Sequence, residues 1–293
     1  MLVAIALCLY LTGCGGASPS APNSELTAQP TQETQPEIAA TVNGQPITME
    51  AFQRELARFE AGQASLGLQV ADQAAYKQQV LDQLVEQELL RQLAIRQGIV
   101  VSDEAVDSEI NAMVQQSGQQ YFEAWLSSNY YALAEFREVI RLQLMANQLT
   151  MPVVASVPTV TEQVHARHIL VNTQAEADQI LSRLQAGEDF GTLAAEYSLD
   201  VTTKNNGGDL GWFPRGGLLV PEVEDAAFSM SPGQTSSVVI SAWGAHVIQT
   251  LELDSARQVE PETHDRLVQK AIEQWRLGLR TGADIQQLVP ITS

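Results

Sequence analysis

Val164-His165-Ala166-Arg167-His168-Ile169-Leu170-Val171 is the stretch on which the fold turns. It alternates with the period of a strand, whereas the segments before it repeat at helical spacing. Downstream, Ala175 to Leu184 reads as a helix ending at Gly187, and Phe190 to Tyr197 as a second, short one. Asn205 to Gly217 is rich in glycine and reads as a loop. Residues 222–229 suggest another helical turn, Pro232-Gly233 a turn, and 236–240 and 243–251 two more strands. The order β-α-α-loop-α-β-β predicts a small α+β domain over 163–253, with helices on an antiparallel sheet.

Upstream, Asn43-Gly44 is a strong hairpin signal, because both residues tolerate positive φ. Thr48 can cap a helix carrying Phe52, Leu56 and Phe59. Residues 73–97 form a longer helix with Val80, Leu81, Leu84, Val85, Leu89 and Leu93 on its apolar stripe, and Gly98 is a C-terminal stop. Ser102 caps a third helix, with Val106, Ile110, Met113 and Val114 inward. A further helix is predicted over 132–149 through Leu133, Phe136, Ile140 and Leu144, with Pro152 and Pro158 punctuating a connector. A last helix, 261–280, carries Leu267, Ala271, Trp275 and Leu279. Alone it would leave an apolar face wet, so it is expected to pack back onto the N-terminal helices. The plan is an all-α helical domain, 38–160 completed by 255–285, with the α+β domain inserted in it or appended to it.

The chain has 293 residues, 45% hydrophobic and 17% charged, a mix able to bury a core. The net charge of −19 disfavours nucleic acid and anionic lipid head groups as partners. Both cysteines, Cys8 and Cys14, fall in the first fourteen residues. The folded body therefore has no disulfide, thiolate metal site or cysteine nucleophile. His165 and His168 form an HxxH, but residues three apart on a strand point to opposite faces and should not share an ion. No metal and no cofactor is expected. Gly207-Gly208 and Gly216-Gly217 lack the Lys-Ser/Thr of a P-loop and read as turns.

Residues 2–11 are a short apolar run, too short to span a bilayer, and read as the core of a signal peptide. Leu11-Thr12-Gly13-Cys14 follows and looks like a bacterial lipobox, with Cys14 as the lipidation site. No Lys or Arg precedes the apolar run, which points to a start upstream of Met1. Residues 15–37, rich in Ser, Pro, Thr, Gln and Ala, read as a tether. The expected location is the extracytoplasmic face of a cell membrane, with a lipid anchor as the only membrane contact.

Four fragments of the central segment together resemble the parvulin family of peptidyl-prolyl isomerases. His168-Ile169-Leu170-Val171 is similar to its first-strand motif. Tyr197-Ser198-Leu199-Asp200 and Asn206-Gly207-Gly208-Asp209-Leu210-Gly211-Trp212-Phe213 resemble its central loop. Val220-Pro221-Glu222-Val223-Glu224-Asp225-Ala226-Ala227-Phe228 resembles the following helix, and Trp243-Gly244-Ala245-His246-Val247-Ile248 the final strand. Each fragment is weak alone; all four in order are specific, and they cover about a third of the chain. Val42-Asn43-Gly44-Gln45-Pro46-Ile47-Thr48 is similar to the start of SurA-like and PrsA-like chaperone domains. With the lipobox, the plan resembles a PrsA-type foldase lipoprotein.

The resemblance implies prolyl isomerisation in unfolded, secreted polypeptides with Xaa-Pro bonds. His168 and His246 match the paired histidines of that family. Asp200 stands where some parvulins have Cys and many bacterial ones Asp. Leu210, Phe213, Leu219, Val223 and Phe228 would form or support a slot for the proline ring. Either Leu218 or Leu219 could take the family's Met-like position, and counting back from Pro221 selects Leu219. Val223 replaces the family's usual aromatic, which implies a shallower slot and keeps open a second reading, a holdase with a residual isomerase domain. Phosphate specificity is not expected, because 163–253 carries 4 Lys and Arg against 11 Asp and Glu, and no basic cluster follows Val171.

Overall fold

The computed structural model describes residues 37–68 and 72–291. Cys14, the apolar run before it and nearly all of the tether 15–37 lie outside the described residues. The chain divides into two compact units, residues 1–146 with 279–293, and residues 147–278.

In the first unit, strands β1 (Ile38–Val42) and β2 (Gln45–Thr48) form the expected hairpin. Asn43 and Gly44 both take positive φ, 50° and 78°, as a two-residue turn of this hand requires. Helix α1 (Met49–Ser65) starts at Thr48, whose hydroxyl accepts from Ala51 N at 3.1 Å. Helices α2 (Gln73–Arg96) and α3 (Asp103–Ser117) follow, capped by Asp72 and Ser102. Helix α4 (Gln119–Ser128), which the sequence reading did not separate, is set off from α3 by Gly118 at φ 89°. Helix α5 (Leu133–Ser156) runs through Pro152 instead of stopping before it. A proline forfeits one backbone hydrogen bond and clashes with the preceding turn, a cost that a long helix can carry at its last turn.

Two cores hold this unit. Val42, Phe52, Leu81 and Val85 form one with the hairpin; Val106, Phe122, Phe136 and Ile140 form the other. Phe136, 1% exposed, is met edge-on by Phe122, Trp125 and Tyr131 at 5.5–5.7 Å between ring centres. Buried Arg58 of α1 lies over the Tyr131 ring and pairs with Glu55 and Glu135.

The unit is not purely helical. Strand β7 (Ile285–Gln287) pairs with β1 and completes a three-stranded sheet, β2-β1-β7. Asn43 ties it in: its amide oxygen accepts from Asp284 N at 2.9 Å and its amide nitrogen donates to Gln92 at 2.8 Å. Ile285, Val289 and Ile291 pack on the first core. The return of the chain is therefore made by residues 279–293, and this corrects the expectation that the last helix packs back. That helix, α9 (Pro261–Thr281), belongs to the second unit up to Gly278. There Leu267 and Lys270 stand beside Gly216, and His264 Nε2 is 3.3 Å from the Val157 carbonyl oxygen.

The second unit contains β3 (Val160–Val171), α6 (Gln174–Gln185), α7 (Phe190–Tyr197), a 3₁₀ turn (Lys204–Asn206), β4 (Asp209–Pro214), α8 (Pro221–Ser229), β5 (Val239–Ser241) and β6 (Gly244–Gln258). The strands form one antiparallel sheet in the order β4-β3-β6-β5. Strand β4 falls inside the stretch read as a glycine loop. Its glycines lower strand propensity, but Asp209, Gly211, Trp212 and Phe213 pair it to β3, with Leu210 left out at a bulge. Alternation gives the sheet two apolar faces. Ile169, Val171, Ala245 and Val247 pack with α6 and α7; Val164, Ala166 and Ile248 pack with Val223 and Ala227 of α8.

Phe136→Ala should destabilise the first unit by about 3–5 kcal/mol, the usual cost of emptying a buried aromatic site. Chemical denaturation of the full chain measures it; a loss under 1 kcal/mol would mean that the aromatic cluster collapses around the gap.

Candidate active site

His168 lies on β3 and His246 on the neighbouring β6, on the sheet face that carries α8. In the register His168 is opposite Ile248 and Leu170 opposite His246, so the two histidines are diagonal neighbours. Both are buried, at 7% and 1% exposure. Their rings stack with centres 5.5 Å apart, and the two Nδ1 atoms are 3.3 Å apart.

Asp200 comes from the loop after α7. That loop is sewn to β3, because Leu199 N donates to Leu170 O at 2.8 Å and Leu170 N donates to the Ser198 hydroxyl. The carboxylate meets four donors. Oδ1 accepts from Thr202 N at 3.0 Å and the Thr202 hydroxyl at 2.6 Å. Oδ2 accepts from the Thr203 hydroxyl at 2.6 Å and stands 2.8 Å from His168 Nε2. At the other end, His246 Nε2 is 2.8 Å from the Ser241 hydroxyl, which accepts from Trp243 N at 3.0 Å.

With both imidazoles neutral, one assignment satisfies every group. An ionised carboxylate only accepts, so His168 Nε2 carries a proton and donates to Asp200. His168 Nδ1 then accepts from His246 Nδ1–H, and His246 Nε2 accepts from the Ser241 hydroxyl. All donors in this chain of bonds point toward Asp200, the arrangement in which successive bonds polarise one another. Burial, with His168 beside it, pushes the His246 imidazole down to about 4, against the opposing pull of Glu222 and Asp200. Burial also works to raise the Asp200 carboxyl, but hydrogen bonds from Thr202, Thr203 and His168 outweigh it and hold the group well below the usual carboxylate range.

Gly208 fixes the approach of the glycine loop. Its carbonyl accepts from His168 N at 2.9 Å, and a Cβ there would fall 2.1 Å from the His168 carbonyl oxygen. At φ 78° the position also disfavours any side chain.

The apolar residues named from the sequence divide. Phe213 is 3% exposed and meets Phe228 edge-on at 6.1 Å; Leu210 and Phe228 are partly buried on the same cluster. Val223 is 2% exposed and packs among Val164, Ala166 and Ile248, so it is a core residue and not a wall of a slot. Leu219 is 92% exposed and supports nothing. Leu218 packs inward in its place. The cause is Glu224, a buried carboxylate that accepts from Gly216 N at 2.7 Å and Leu218 N at 3.1 Å and so folds the loop inward at Leu218.

Thr202, Thr203, Ser241 and Glu224 escaped the sequence reading. Two threonines directly after an aspartate are a signal for local side-chain bonding. Ser241 could have been found from the short turn that places β5 beside His246. His165 lies on the opposite face, bonded to Asp209 at 2.8 Å. Among the described residues, no group of three or more His, Cys, Asp or Glu is placed to hold a metal ion.

Comparison with known proteins agrees with both units. Residues 1–150 match the family model described as SurA-like N-terminal domain, and residues 152–254 the one described as PPIC-type PPIase domain. A foldase protein PrsA of Caldanaerobacter subterraneus is 36% identical over 181 residues, 57% of this chain and 54% of that protein. Another, of Halalkalibacterium halodurans, is 43% identical over 109 residues, 37% of this chain and 32% of that protein. The chain thus spans about half or less of these relatives. The crystal structure of a peptidylprolyl isomerase (PrsA) from Bacillus cereus shares the fold, with a TM-score of 0.51 at 24% identity over 84% of this chain and 90% of that one. The chain belongs to the family with a SurA-like N-terminal domain, and joins to that domain a PPIC-type PPIase domain.

Proposed function

We propose that the second unit is a peptidyl-prolyl cis-trans isomerase and that the chain is a foldase chaperone for unfolded polypeptides with Xaa-Pro bonds. The observation that carries this reading is the meeting of His168, Asp200 and His246, from three separate segments, on one face of the sheet beside apolar side chains. The names borne by the relatives support it. The holdase alternative rested on Val223, and a residue packed inside the core says nothing about the depth of a slot.

Rotation about a prolyl bond must cross about 18–20 kcal/mol, because the amide C–N bond has partial double-bond character. No covalent step is needed. Binding the twisted amide more tightly than either planar form lowers the barrier. Asp200 has its acceptor sites filled by four donors, which leaves it unsuited to nucleophilic attack. Its role is electrostatic: a fixed negative charge, with the two imidazoles and Ser241 aligned behind it, facing an amide whose carbonyl loses conjugation as it turns. In the first unit, exposed Leu66, Leu68, Ile95 and Val100 offer apolar contact to unfolded chains.

We also infer that Cys14 carries a lipid that anchors the protein at the extracytoplasmic face. The Leu11-Thr12-Gly13-Cys14 sequence supports this. No helix among the described residues is long and apolar enough to cross a membrane. Growth with labelled palmitate should label the protein, and Cys14→Ala should abolish the label; an unlabelled parent chain removes the anchor.

Asp200→Asn turns one acceptor oxygen into a donor facing donors and should lower kcat/KM on an Xaa-Pro peptide by about 5- to 150-fold, since a buried unpaired group costs about 1–3 kcal/mol. Exchange NMR on the peptide reads the rate, and an undiminished rate would remove Asp200 from the mechanism.

His246 sets the pH response. The folded imidazole titrates at about 4 and an unfolded one near 6.5, so activity should hold level from pH 8 to about 5 and fall below that. Stability behaves differently. Between those two values the unfolded chain binds the proton and the folded one does not, so falling pH should cost up to about 3 kcal/mol across that window. Denaturation at pH 7.5 and 4 measures it, and a His246→Phe variant should lose that part of the slope.

A further inference from the structure

This inference rests on the isomerase reading and concerns which prolyl bonds the site selects. The second unit carries few cations, and most of those between 163 and 253 are engaged. Arg167 lies on the far face of the sheet, over the Phe190 ring and bonded to Gln249. Arg183 is held by Glu188 through two hydrogen bonds and by Tyr197. Arg215 lies over Phe228 and stands 3.9 Å from both Glu162 and Asp225. Lys204 follows the Asp200 loop, its backbone N donating to the Asp200 carbonyl at 2.9 Å, and among the described residues its side chain has no ion pair or ring contact.

The anions are disposed differently. Asp200 is ionised, and its hydrogen-bond partners are hydroxyls, a backbone amide and an imidazole, none of which brings a fixed positive charge. Glu222 lies in the first turn of α8, the helix that packs on the His246 face of the sheet. It is exposed, its neighbour Val223 points into the core beside Ile248, and its charge is felt at His246. Among the described residues no ion pair holds it. The rim of the site therefore carries the negative charges of Asp200 and Glu222 near Lys204, while Arg215 over Phe228 is balanced by Glu162 and Asp225 and Lys270 is turned to the Gly216 carbonyl, within a segment whose net charge is −7.

We propose that Glu222 is a specificity-determining residue, which makes the site select Xaa-Pro bonds in which Xaa is Lys or Arg. The residue before proline owns the carbonyl that rotates, so its side chain is the one brought nearest the histidine–aspartate array and its rim. Two unit charges about 4 Å apart in water attract by about 1 kcal/mol, which is about fivefold in an equilibrium or rate ratio. Anionic side chains at Xaa meet the same field with the opposite sign.

The test uses the full chain and three tetrapeptides, Ala-Xaa-Pro-Phe with Xaa as Lys, Gln or Glu, read by exchange NMR without a coupling protease. The expected order of kcat/KM is Lys, Gln, Glu, with a span of up to about 25-fold at low salt that narrows toward one at high salt. Glu222→Gln should shrink the Lys-to-Glu ratio severalfold, and Glu222→Lys should invert it. Because Glu222 is exposed, neither change threatens folding. Equal turnover of the three peptides, or a ratio that Glu222→Gln leaves unmoved, overturns the inference while the isomerase reading stands. Absence of turnover on all three sinks the isomerase reading and this inference together.

Discussion

A buried imidazole must find a partner for each ring nitrogen, and two adjacent ones must do so without both offering protons to each other. That requirement organises the second unit. His168 and His246 are at 7% and 1% exposure, so neither can turn to water. Each therefore recruits its outer partner from a different segment: Asp200 from the loop after α7, Ser241 from β5. The chain of bonds runs across the sheet and ends in a carboxylate held by two further threonines. Three stretches far apart in sequence, β3, the Asp200 loop and the β5–β6 hairpin, are held together by the bonding needs of two rings.

Backbone proximity makes this arrangement possible, and glycine makes the proximity possible. Gly208 lets the loop lie against His168, where a Cβ would sit 2.1 Å from a carbonyl oxygen. Gly244 does the same at the start of β6, where a Cβ would meet the Val171 carbonyl at 2.3 Å. Both have positive φ, 78° and 139°, so steric room and backbone conformation exclude side chains at the same two points. Glu224 acts in the same way from the side-chain direction. A carboxylate 7% exposed is costly unless its oxygens are bonded, and it is satisfied by the amides of Gly216 and Leu218. The loop before α8 is thus shaped by a charge that must be solvated by backbone.

These details mark where sequence reading reaches and where it stops. Local signals with one physical outcome were legible: the Asn43-Gly44 turn, the Thr48 and Ser102 caps, and the alternation of β3, which also separated His165 from His168. Signals that depend on a partner were not. Strand β4 is too glycine-rich to declare itself, and exists because β3 offers it a ladder. The choice between Leu218 and Leu219 is made by Glu224, six residues after the first of them, through backbone bonds that no periodicity encodes. Strand β7 pairs with β1 from the other end of the chain, and buried Arg58 is held by Glu135 and Tyr131 of a distant segment. Hydrophobic spacing alone could say that α9 needed cover, but not that Gly216 and its loop stand beside it.

The saturation of Asp200 bears on how such a site can act. Shortening isomerisation from about 100 seconds to about a millisecond takes about 7 kcal/mol off the barrier. A nucleophile would need a free lone pair, and general acid–base catalysis would need a proton to move. The carboxylate here has four donors and no acceptor role to spare, and a neutral His246 has its one proton committed to His168. What remains is a charge and a row of dipoles already oriented before substrate arrives. Preorganised groups of this kind need no reorganisation during the reaction, and in a site from which water is excluded they act far more strongly than in solvent. An amide that loses its conjugation changes its charge distribution without changing its bonding partners, so under the isomerase reading proposed above a fixed field is sufficient for the task.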